Sequence, residues 1–180
     1  MTLIGRSNVG KSTLLNTLIG TKVAIVTPKA QTTRSPVRGV LSEPRGQLVF
    51  VDTPGVFLGK HDILSRHLNE LVNQQLEGID AIVYVIDPAR EFGPEEEKIL
   101  QMLRALSTPI VVAINKADLT EAQRPHLDAA RSVDVGQLST LEISAMRGTD
   151  TNRLVDTLFA IVPEGEAYYP EAQRTDLTHP

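Results

Sequence analysis

Apolar residues recur along this chain in two rhythms. Four short runs are almost continuously apolar: "QLVFVDT" (47–53), "AIVYVID" (81–87), "PIVVAIN" (109–115) and "TLEIS" (140–144). Short β-branched runs bounded by charged or turn residues predict strands. Their lack of alternation predicts a parallel sheet covered on both faces. Between them the period lengthens towards 3.6. Lys11 to Ile19 places Leu14, Leu15, Leu18 and Ile19 on one side, with Gly20 where a helix C-cap belongs. "GPEEEKILQMLRAL" (93–106) puts Pro94 at the first helical position and Glu95, Glu96 and Glu97 in the first turn, where their charge suits the helix dipole. "TNRLVDTLFAIV" (151–162) predicts a third amphipathic helix, and "VRGVLSEPRGQLVFV" a hairpin turning at Pro44–Gly46. Strand and helix in alternation predict a doubly wound α/β sheet with helices on both faces. Periodicity ends at Pro163, so residues 1–163 read as one domain and 164–180, "EGEAYYPEAQRTDLTHP", as an extended tail or linker.

Composition narrows the function more than the fold. Hydrophobic residues make up 41% of the 180, enough for a core. A net charge of −4 argues against binding nucleic acid by bulk charge. There is no cysteine, hence no disulfide framework and no thiolate metal site. The apolar runs are too short to span a membrane and "MTLIGRSN" is not a signal peptide, so a soluble cytoplasmic protein is expected. Only Met1 to Ile4 precede the first glycine-rich stretch; the first strand is short, or the natural start lies earlier.

The chemistry begins at "GRSNVGKST" (5–13). Gly5, Gly10, Lys11 and Ser12 fit G-x-x-x-x-G-K-[ST]. Such a loop bends tightly and brings backbone N–H groups onto phosphate oxygens, which glycine permits. The helix that follows turns its N-terminal dipole towards the same anion. Lys11 supplies a point charge to the β- and γ-oxygens and the Ser12 hydroxyl a ligand for Mg²⁺. Arg6, Ser7, Asn8, Val9 and Thr13 complete the cradle.

"NKAD" follows directly on a strand, at the edge where open α/β sheets bind ligands. Asp118 can accept from guanine N1–H and its exocyclic amine, a donor pair adenine lacks; a carboxylate left unpaired discriminates by ~10⁴-fold. The Lys116 stem can cover a face of the base, and Asn115 can tie this loop to the phosphate loop. By average composition the two motifs coincide in roughly one chain in ten thousand, so chance does not explain them. "DTPG" (52–55) ends another strand: Asp52 faces the metal through a water, the Gly55 N–H meets a γ-phosphate, and Thr53 and Pro54 lie between. In "ISAM" (143–146) the Ser144 hydroxyl and Ala145 N–H can brace Asp118 and the guanine oxygen, with Met146 beside them.

Taken in order, "GRSNVGKSTLLN", "TPKAQTTR", "FVDTPGV", "NKAD" and "ISAMRG" resemble the GTPase domain of the Era-type translational GTPases over residues 1 to about 176. That resemblance implies a P-loop NTPase fold, a six-stranded, mostly parallel sheet whose second strand is antiparallel. It implies GTP or GDP with Mg²⁺ held by Ser12, Thr33 and Asp52, Thr32 being the second candidate for the threonine. Lys11, Thr33, Gly55 and Asn8 are the implied catalytic set. The family carries a C-terminal KH domain, which does not follow here, and acts in small ribosomal subunit maturation through 16S rRNA. A monomer is expected, and the resemblance leaves room for peripheral membrane association. Ser7 stands where the family usually has proline. Val56 follows Gly55, where Ras-like enzymes place a water-orienting glutamine, so hydrolysis should be slow. Asn8 resembles a K⁺ ligand of related GTPases; it can equally cap the loop by side chain–backbone bonds.

Overall fold

The computed structural model describes residues 1–20, 37–51 and 76–166. A short strand, β1 (Thr2–Ile4), leads through the glycine-rich loop into α1 (Lys11–Ile19). The hairpin β2 (Val37–Glu43) and β3 (Gly46–Val51) turns at Pro44 and Arg45, as its sequence predicts. Then come β4 (Ile82–Ile86), α2 (Pro94–Arg104), β5 (Ile110–Ile114), α3 (Leu127–Arg131), β6 (Ser139–Glu142) and α4 (Thr151–Ile161). The hydrophobic pattern does not foresee α3, because five residues are too few for a helical period to emerge. Gly20 does cap α1, giving its N–H to Asn16 O, but in the right-handed conformation rather than the left-handed one that favours glycine.

β1, β4, β5 and β6 form a parallel ladder in that order, and β2 and β3 an antiparallel pair beside it. The pair joins the ladder at Met1. The terminal ammonium donates to Val49 O at 2.9 Å, and the Val51 N–H donates to Met1 O at 3.0 Å. Bonds that flank one residue in this way make a parallel bridge. β3 therefore runs parallel beside β1, and β2 is the antiparallel outer strand. Arg45 at the hairpin turn pairs with Asp156 at 2.6 Å and lies over the Phe159 ring, pinning the turn to α4.

Every residue of β4 and β5 is buried, which is why their sequences do not alternate. Successive side chains still face opposite ways. Val83, Val85, Val111 and Ala113 meet Leu14 and Leu18 of α1 and Leu154 and Leu158 of α4. Ile82, Tyr84, Val112 and Ile114 meet Ile99 and Leu103 of α2 and Leu127 of α3. Each such leucine or isoleucine contributes ~1.5–3 kcal/mol over exposure. Among the described residues each face carries a pair of helices, and the crossovers diverge on either side of β1. The loop after β1 thus lies at the switch point where such sheets open a crevice.

Candidate functional site

Four strands of the ladder end at one edge, and the polar residues of the motifs are gathered there. Gly5 follows β1, Asp87 follows β4, Asn115 follows β5 and Ser144 lies just beyond β6.

The loop after β1 has backbone angles that few residues adopt: φ is +151° at Gly5, +64° at Asn8 and +103° at Gly10. A Cβ on Gly5 would lie 2.3 Å from Val85 O, and one on Gly10 would lie 2.2 Å from Asn115 Nδ2. Both glycines are therefore demanded by their neighbours as well as by their conformation. Four of the loop's carbonyls are taken up by side chains. Lys11 Nζ donates to Gly5 O at 2.7 Å and to Arg6 O at 2.5 Å. Arg90 donates to Ser7 O at 2.8 Å, and Asn115 Nδ2 to Val9 O at 2.9 Å. A cradle for anions needs its N–H groups free for the ligand, and carbonyls already bonded to side chains do not compete for that place. Burial pushes the Lys11 ammonium below its ordinary pKa, against the opposing pull of Glu95 and Glu96. Ser12 and Thr13 stand exposed in the first turn of α1. No bond from the Asn8 side chain to the loop backbone is present among the described residues. The capping alternative thus lacks its contact; the left-handed φ is itself one that asparagine tolerates.

On the second side of the crevice Asn115 is buried, with 3% of its surface exposed, and its amide bonds at both its nitrogen and its oxygen. Besides the bond to Val9, its Oδ1 accepts the Ala145 N–H at 2.9 Å. One side chain therefore ties together three loops, from β1, β5 and β6. The Ala145 N–H, expected to face a guanine oxygen, is directed at Asn115 instead, since an isolated buried amide acceptor would be costly. The Ser144 hydroxyl does brace Asp118, donating to Oδ1 at 2.5 Å, and itself accepts the Arg147 N–H. That hydroxyl is the main reason the exposed Asp118 carboxyl falls below the ordinary carboxylate value. Thr17 of α1 donates to Ala145 O at 2.6 Å, fixing the last loop against the helix that begins at the first. Met146 is 78% exposed at the lip.

Asp87 and Glu96 belong to the same cluster, and motif reading missed both. Asp87 is buried and pairs with Lys116 Nζ at 2.6 Å, so the lysine of "NKAD" is held at its charged end. Its signal was available: Asp87 ends an apolar run as Asp52, Asn115 and Ser144 end theirs. Glu96 reads as one of three dipole-complementing glutamates, but it is buried and accepts the Tyr84 hydroxyl.

Thr32, Thr33, Asp52, Thr53, Pro54, Gly55 and Val56 lie outside the described residues. Of the expected Mg²⁺ ligands, the structure thus describes Ser12 alone. Its hydroxyl on the helix beside Lys11 suits an oxygen-seeking cation.

Residues 1–116 match the family described as 50S ribosome-binding GTPases. The chain is 40% identical over 176 residues to the GTPase Era of Halothermothrix orenii, covering 98% of this chain and 60% of that one. Among solved structures, Era in complex with MgGDPNP and nucleotides 1506–1542 of 16S ribosomal RNA aligns with a TM-score of 0.69 at 39% identity, over 95% of this chain and 59% of that one. An Aquifex aeolicus Era variant bound to GDP and AlF4⁻ gives the same TM-score at 38% identity over the same shares. The chain thus spans about three-fifths of these relatives' length. The chain belongs to the 50S ribosome-binding GTPase family, and its α/β fold with a mostly parallel sheet is the one the resemblance implied.

Proposed function

We propose that this chain binds GTP and GDP through the crevice at the carboxyl edge of the sheet and hydrolyses GTP as a molecular switch. The observation that carries the reading is the Asn115 joint. It ties the phosphate loop at Val9 to the loop behind Asp118 at Ala145, so that the phosphate side and the base side of the crevice are held in one fixed relation. Asp118, held ionised by Ser144, accepts from the guanine edge. Lys11 exchanges the Gly5 and Arg6 carbonyls for β- and γ-oxygens, an easier step because its ammonium is already partly desolvated. Ser12, Asp52 and Thr33 would hold Mg²⁺, which neutralises charge developing on the phosphates. Gly55 senses the γ-phosphate, and its loss releases the segments around Thr33 and Gly55.

Val56, unable to orient water, sets a slow intrinsic rate. Asn8 offers the remedy of a K⁺ ion placed beside the transferring phosphoryl group. The same valine favours a second reading, a nucleotide sensor with negligible turnover. A related ribosome-assembly or tRNA-modification role would use the same motifs. The Era complex with 16S rRNA supports a partner in the small ribosomal subunit, although the family's description names the 50S. We take the former because its likeness covers 95% of this chain. The place of action is the cytoplasm and the working form a monomer; among the described residues no helix is long and apolar enough to cross a membrane.

Single-turnover hydrolysis of labelled GTP with Mg²⁺, in K⁺ and in Na⁺, separates the readings. Saturable binding with phosphate release supports the switch. Binding without release supports the sensor, and no saturable uptake of GDP or GTP refutes both.

A further inference from the structure

Glu96 is out of place as a helix-dipole residue. Its neighbour Glu95 keeps 57% of its side chain exposed, as a first-turn glutamate should, whereas the Glu96 side chain keeps 4%. A carboxylate so buried must be compensated. It takes the Tyr84 hydroxyl from the middle of β4, and it faces Arg6 Nη1 of the phosphate loop at 3.6 Å. The Arg6 side chain is itself only 14% exposed. It also donates to Glu95 Oε2 at 3.2 Å and to Glu91 O at 2.8 Å. The backbone carbonyl of that same arginine receives Lys11 Nζ. One residue further on, Ser7 O is held by Arg90. Arg90 follows a turn closed by its own N–H on Asp87 O and by the Ala89 N–H on Asp87 Oδ1, and Asp87 pairs with Lys116. The connection from β4 to α2 therefore grips the outer side of the phosphate loop at two consecutive residues, and Tyr84 roots the grip in the sheet.

We propose that Glu96 and Arg6 are a positioning pair. They hold the backbone at Arg6 and Ser7 from behind, so that the Arg6 carbonyl stays on Lys11 Nζ and the Ser7 carbonyl on Arg90. Neither side chain needs to touch the nucleotide. If the pair is broken the peptide can rotate, a carbonyl dipole swings towards the anion, and the anion leaves sooner. The inference rests on the guanine-nucleotide reading above, and the experiment keeps the two apart.

Release of a fluorescent GDP analogue is timed by stopped flow with Mg²⁺ on the full 180-residue chain, well below its melting temperature. Wild-type chain that takes up no GDP refutes the nucleotide reading and this inference together. Given uptake, Glu96→Gln, which keeps an acceptor for Tyr84 but removes the charge facing Arg6, is expected to release GDP about tenfold faster. Arg6→Gln should do the same, and the double variant should release no faster than the quicker single one. A merely structural role would lower the melting temperature of Glu96→Gln and leave the release rate at the wild-type value, and that result overturns the proposal. So do effects that multiply fully in the double variant. Should Glu96→Gln fail to fold, Arg6→Gln decides alone: an unchanged release rate refutes the pair.

Discussion

Asn115→Ala puts the central joint under the most direct strain. The side chain supplies one donor to Val9 O and one acceptor to the Ala145 N–H, both at 2.9 Å and both buried. Truncation strands two backbone groups that water reaches poorly. Each such group costs ~1–3 kcal/mol, so the joint is worth ~2–6 kcal/mol before relaxation. For a chain of this size each kcal/mol moves the melting midpoint by about 2–4 °C, so a loss near 3 kcal/mol lowers it by about 6–12 °C. The nucleotide-free protein should show this by thermal unfolding followed by circular dichroism. The same variant should lose GDP faster, because Val9 and Ala145 would no longer be held at a fixed separation. Asn115→Asp isolates one arm. It keeps an acceptor for Ala145 but sets a carboxylate oxygen against Val9 O, so GDP release should quicken as in Asn115→Ala. An Asn115→Ala midpoint within about 2 °C of wild type, with an unchanged GDP release rate, would refute the reasoning.

Asp118→Asn should lower GTP affinity by roughly a hundredfold or more and raise that for xanthosine triphosphate, because the new amide can donate to the 2-oxo group; competition binding checks both directions. Asn8→Ala should abolish any difference between hydrolysis rates in K⁺ and Na⁺; equal wild-type rates in the two buffers would remove K⁺ from the mechanism. Glu142 gives a test by pH. Burial alone would raise its pKa, but the bonds from Arg131 and Arg124 outweigh it, and the carboxyl ends below its ordinary 4.5. A depressed carboxylate stabilises above the unfolded value and loses that contribution as pH falls through the folded one. Wild type should therefore lose its advantage over Glu142→Gln progressively below pH 4.5 in urea titrations.

Local pattern was enough for much of this protein. The spacing of Gly5, Gly10 and Lys11 imposes a bend whatever surrounds it, and the apolar runs of β4 and β5 declare burial on both faces, because these properties depend on neighbours a few residues away. The proposal that Asp118 recognises guanine rests on donor and acceptor chemistry alone. The short α3 could not be read, since no period fits into five residues. Nor could the hold of Arg90 on the Ser7 carbonyl, 83 positions away, whereas the tie from Asn115 to the phosphate loop, across 106 positions, follows from the place of "NKAD" at the sheet edge. Glu96 shows the division most clearly. Its position in the first turn of α2 follows from Pro94 and the dipole, and in sequence it is indistinguishable from Glu95 and Glu97. Only the packing of α2 on β4 turned one of the three inward, onto the Tyr84 hydroxyl and towards Arg6. A helix places its residues 100° apart around an axis, but which of them meets the sheet is settled when the two surfaces close on each other.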